Sequence, residues 1–184
     1  MTLDLSFWKS VDPEDLFQAV TEEENRKFVV RILKALTPDP VWTKRTIEQV
    51  ESKRIEMRCF ISWLARELQP RTYLEVGVRR GFSMAMVASR CPESEIYGFD
   101  LWVANYGAVN NPGHKFVQSE LEKIGYRKKV HFFSGNSHKT LPAFFHTRKA
   151  CFSDRVKLSW KFKKRPATFD LILVDGEHSL LGAY

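Results

Sequence analysis

The 184 residues carry a formal net charge of +7, are 43% hydrophobic and 13% aromatic, and so suit one folded domain with a sizeable core rather than a disordered chain. No run approaches the roughly 20 apolar residues that cross a bilayer, and Asp4 stands where a secretory signal would be basic, so a cytoplasmic protein is expected. Cys59, Cys91 and Cys151 lie far apart with no CxxC spacing, which fits reduced thiols rather than a disulfide frame or a zinc site.

Residues 1–69 read as an N-terminal helical segment. Ser6 and Asp12-Pro13 are helix starts, and Thr37-Pro38-Asp39-Pro40 is a stop. Residues 43–69 predict one long amphipathic helix, with Ile47, Val50, Met57, Ile61, Leu64 and Leu68 on one face, ended by Pro70.

From residue 70 the pattern changes. Four strand-like apolar runs follow, at 73–78, 95–100, 130–135 and 169–176. Helical patterns lie between them, at 83–89, 114–124 and 137–145. Strands alternating with helices imply an α/β, Rossmann-like parallel sheet with helices on both faces, here of about four strands. The link at 146–168 is long for such a unit and reads as an insertion. It belongs to a basic block, 127–165, with 12 Lys/Arg against the single acid Asp154. Such a block suits nucleic acid, an anionic sugar or a membrane surface, or is simply a solvated loop.

Four places carry chemistry. Gly77 and Gly81, after the first strand, allow a tight turn and close approach of backbone to a ligand, and the helix start beyond them offers free N–H groups to an anion. The spacing is GxxxG, not the dinucleotide fingerprint GxGxxG. Glu75 is an acid on a strand that should be buried, so its charge needs a partner such as a ligand ammonium. Asp100, ending the second strand, can accept from both ribose hydroxyls of an adenosine cofactor, or cap the turn before Leu101-Trp102. Asn136, after the third strand, suits the edge of adenine or a helix N-cap. Asp175 ends the fourth strand on the ligand-binding side of such sheets, near His178, the residue type best suited to take a proton near neutral pH. Asp175 could orient a substrate hydroxyl or help bind a divalent metal, for which it is the one candidate ligand. His178 could equally be a surface loop residue.

Together Glu75, Gly77, Gly81 and Ser83, then Asp100, then Asp175, Gly176, His178 and Ser179 resemble the class I S-adenosylmethionine (SAM) dependent methyltransferases. The branch is the small-molecule and sugar O-methyltransferases, related to the catechol O-methyltransferase type. The resemblance implies that Glu75, Gly77, Gly81 and Ser83 hold the methionine part of SAM, Asp100 the ribose and Asn136 the adenine. Asp175 and His178 would face the methyl acceptor. The family's sheet has seven strands, whereas four are legible here, and the sequence stops at Tyr184 where another helix should begin. A fragment, or a chain completed by a partner, is therefore expected, with self-association through an open sheet edge. The alternatives are an inactive fragment, a nicotinamide-dependent oxidoreductase, disfavoured by the GxxxG spacing, and a nucleic-acid-binding protein or RNA methyltransferase using the basic block.

Overall fold

The computed structural model describes residues 12–39, 42–104, 111–145 and 168–176. Helix α1 (Pro13–Thr21) starts where Asp12 accepts the Glu14 N–H at 2.7 Å, with Pro13 opening the first turn. Helix α2 (Glu23–Ala35) buries Asn25, Val29, Ile32 and Leu33, one stripe at helical spacing. Helices α3 (Trp42–Glu51) and α4 (Met57–Leu68) follow. The expected Ser6 helix start lies outside the described residues.

The single helix expected over 43–69 is in fact these two. The apolar stripe runs in phase across the break, which is why periodicity joined them. The first helix ends in a Schellman turn: Lys53 takes a left-handed φ of +58°, its N–H donates to Val50 O, and Arg54 N–H donates to Gln49 O. Glycine usually marks such a turn, and lysine gave no signal. Glu56 then starts α4 by accepting the Arg58 N–H at 2.6 Å.

Asn25 ties the helices together. Its side-chain amide donates to Val20 O and Cys59 O, while its oxygen accepts from Ser62 Oγ and Arg90 Nη2. A buried amide with both ends satisfied fixes how α1, α2 and α4 seat against the α/β layer.

Strands β1 (Thr72–Val76), β2 (Glu95–Asp100), β3 (His131–Ser134) and β4 (Leu171–Val174) alternate with helices α5 (Phe82–Arg90), α6 (His114–Lys123) and α7 (Ser137–Phe145). All pairings are parallel and the sheet order is β3-β2-β1-β4. The expected α/β parallel sheet is therefore present among the described residues. Its larger core, on the Tyr73 and Ile96 face, packs against the N-terminal helices and α5. On the other face Leu74, Val76, Tyr97, Phe99 and Phe133 meet Phe144 of α7, with Phe99 and Phe133 stacked at 4.4 Å. On β4, Ile172 and Val174 remain 52% and 72% exposed.

Candidate functional site

The chain passes outward from β1 through β2 to β3, then returns to place β4 on the other side of β1. That reversal is a topological switch point, where open parallel sheets form a crevice at the carboxyl ends of their strands. The ladder bonds run on past the strand ends: Gly77 N–H donates to Phe99 O, Gly135 N–H to Asp100 O, and Asp175 N–H to Val76 O. Gly77, Asp100, Gly135 and Asp175 thus share one edge, although 98 residues separate the first from the last.

Both motif glycines answer demands of the fold itself. A Cβ on Gly77, at φ +90°, would lie 2.0 Å from the Asp175 carbonyl oxygen. One on Gly81, at φ +74°, would lie 2.6 Å from Val117 of α6. Arg79 between them takes φ +53°, a conformation non-glycine residues seldom adopt and one found where surroundings impose it. Gly81 begins α5 without any side-chain cap, and Phe82, Ser83 and Met84 of that first turn are buried. A buried helix start without a capping side chain is an opening for an anion.

Glu75 is 2% exposed, and the Tyr73 hydroxyl donates to its Oε2 at 2.8 Å. Burial pushes its carboxyl up to about 8; the Tyr73 bond and Arg58 pull it down, and the Asp175 and Asp100 charges push it up. The partner that the sequence demanded is thus a tyrosine, and near neutral pH the group mostly holds a proton. Glu75, Asp100 and Asp175 form an acidic end to the crevice, set beside the positive end of α5.

Asp100 clamps the turn. Its Oδ2 accepts the Arg79 N–H at 2.7 Å, and its Oδ1 accepts the Trp102 N–H at 2.6 Å and Asn111 Nδ2 at 3.3 Å. A carboxylate has about four lone-pair sites, so one remains for a ligand hydroxyl, and the long Asn111 contact is the one most easily replaced. Trp102, read from sequence only as part of a turn, has φ +55°, donates its indole N–H to Ser134 Oγ at 3.1 Å, and lies edge-on to Phe132 and His114. An aromatic wall therefore stands beside Asp100, and no spacing rule announced it. Asn136 is exposed, and its Oδ1 accepts the His138 N–H at 2.9 Å, so that oxygen is a helix cap.

Asp175 is half-buried beside Gly77. His178 and Ser179 lie outside the described residues, as do His146, Cys151 and the insertion up to residue 167. Within the basic block, Lys128 is engaged in an ion pair with Glu93 at 3.2 Å. Among the described residues no group of three His, Cys, Asp or Glu could hold a metal ion, and no helix is long and apolar enough to cross a membrane. Cys59 and Cys91 are free and buried; burial pushes the Cys59 thiol up to about 12 and raises that of Cys91, which leaves both protonated.

A protein-family model described as a methyltransferase domain matches residues 74–183, more than half of the chain. Among solved structures, a cofactor-bound Rv0187 from MTB is 19% identical, with 73% of this chain and 56% of that one covered and a TM-score of 0.38. A protein from Klebsiella pneumoniae described as an O-methyltransferase is 17% identical, with 80% of this chain and 52% of that one covered and a TM-score of 0.36. The chain spans about half the length of these two proteins. No curated protein matches it. The extent of the family match shows that the chain belongs to the methyltransferase-domain family, and its parallel sheet is that of the class I methyltransferases.

Proposed function

We propose that the chain carries the SAM site of a methyltransferase that acts on an oxygen of a small molecule, a sugar among the acceptors it suits. One observation carries this reading: the crevice pairs the uncapped start of α5 with the acidic group Glu75, Asp100 and Asp175. The methionine end of SAM bears a carboxylate and an ammonium side by side. The helix start suits the first and the acids suit the second. A dinucleotide pyrophosphate carries no cation for these acids to receive, and the GxxxG spacing departs from its fingerprint.

In this reading Gly77 and Gly81 shape the turn so that the methionine carboxylate comes close, and the uncapped N–H groups of the first α5 residues, Ser83 among them, hold it. Glu75 releases its proton to water as the ammonium arrives, and its carboxylate then accepts from that cation. Asp100 receives a ribose hydroxyl at its remaining site. Asn136 turns its amide donor to adenine, and Trp102 supports the ring. When bound, SAM supplies a methyl group on a cationic sulfur. Asp175 orients the acceptor hydroxyl and His178 takes its proton, so few catalytic groups are needed beyond correct alignment. A bound divalent metal finds no support among the described residues. The free cysteines Cys59 and Cys91 are in keeping with the reducing interior of a cell.

The test is a thermal melt with S-adenosylhomocysteine, with NAD as the comparison. A ligand at 100 times its Kd stabilises the native state by about 2.7 kcal/mol. A shift with S-adenosylhomocysteine alone is expected. A cooperative melt that neither ligand moves, or that NAD moves more, overturns the reading.

A further inference from the structure

The glycine turn is held from outside the segment that the family model matches. Arg79 and Arg80 stand side by side between Gly77 and Gly81, and both reach back to the N-terminal helices. Arg80 is 9% exposed, which is rare for an arginine and costly unless the charge is paired. Its Nη2 donates to Thr37 O at 3.3 Å, its Nε lies 3.8 Å from Asp39 Oδ2, and its guanidinium stands 4.8 Å over the Phe116 ring of α6. Asp39 is itself buried and fixed: its Oδ1 accepts the Trp42 N–H at 2.8 Å, and its own N–H donates to Thr43 Oγ1 at 2.7 Å. Thr37 is anchored in turn, donating its N–H and hydroxyl to the two oxygens of Glu120, which pairs with Lys123. The Arg79 guanidinium lies 5.7 Å over the ring of Trp42.

An ordinary turn of this length would leave two arginines in water. Here one is withdrawn from water onto a carboxylate that also starts α3, and the backbone beside it is in a strained left-handed conformation. Strain of that kind persists only where surroundings over-determine it. A buried ion pair adds little stability relative to apolar packing, and its best-attested use is to select one arrangement.

We propose that Asp39 and Arg80 are a positioning pair that sets the Gly77–Gly81 turn for the methionine end of SAM, so that residues 36–39 and 42–43 form part of the cofactor site without touching the ligand. This rests on the SAM reading above. The pair holds the turn from behind, the N–H groups of the α5 start face the methionine carboxylate, and Asp100 holds the opposite side of the turn through the Arg79 N–H.

The experiment is calorimetric titration of the unaltered chain and of Asp39→Asn and Arg80→Lys, with S-adenosylhomocysteine and with 5′-methylthioadenosine, which lacks the methionine end. Asp39→Asn retains the oxygen that accepts from Trp42 and removes the charge. Misplacing the turn should weaken S-adenosylhomocysteine about 10-fold or more and leave methylthioadenosine unchanged within about twofold. Unchanged affinity for S-adenosylhomocysteine in both variants overturns the proposal. An equal loss for both ligands also overturns it, because general loosening of the fold does not discriminate between them. Absence of binding by the unaltered protein fails the SAM reading itself. As a measurement needing no variant, S-adenosylhomocysteine should slow amide exchange at Leu36, Thr37, Asp39, Trp42 and Thr43, and exchange there that ignores the ligand refutes the pair's role.

Discussion

Replacing Glu75 with glutamine tests the account of the crevice most directly. The substitution keeps the shape and the oxygen that accepts from Tyr73, and removes the titration. The carboxyl stands at about 8 in the fold against an ordinary 4.5, because burial disfavours its charged form. A group raised in this way gives its full stabilisation below the ordinary value and loses it as pH rises through the folded one. Each unit of difference is worth about 1.4 kcal/mol, so between pH 5 and pH 8 the native protein should lose about 3 kcal/mol through this one residue. Glu75→Gln should not lose it. Urea denaturation of both proteins at pH 5, 6, 7 and 8 reads the effect as the difference between them, which cancels the titration of every other group. The gap should widen steadily in favour of the variant as pH rises. A gap that is constant over that range would refute the claim that Glu75 is buried and protonated among acids.

Gly77→Ala should cost at least about 3 kcal/mol, since the new methyl meets the Asp175 carbonyl and the backbone is left-handed; a melt within a few degrees of the unaltered protein would contradict this. Asp100→Asn removes the charge from the hydrogen bonds to the Arg79 and Trp102 N–H groups and should cost about 2 kcal/mol by denaturation, with a parallel fall in S-adenosylhomocysteine affinity by calorimetry. Ile172 and Val174 expose an apolar strip on β4, so the protein should self-associate in sedimentation and Val174→Lys should reduce this; a monomeric profile for the unaltered chain would count against it.

The sequence by itself determined the alternation of strands and helices from residue 70 onward, because short near-continuous apolar runs mark strands buried on both faces and period-3.6 stripes mark helices, and both are written directly into the order of apolar residues. It also marked Gly77, Gly81, Asp100 and Asp175, since positive φ and strand-end acids leave a signature in residue type. It joined α3 and α4 into one helix, because the apolar stripe stays in phase across a Schellman turn closed by lysine. Only the tertiary structure decided what the marked residues touch. It showed that Glu75 is buried and accepts from the Tyr73 hydroxyl, that Asn136 uses its oxygen as a helix cap, and that Trp102 stands beside Asp100. It also brought Asp39 to Arg80, 41 positions away, and Gly77 to Asp175. Periodicity reports which face of an element is buried; which element lies opposite depends on contacts between distant segments, and those exist only once the chain has closed on itself.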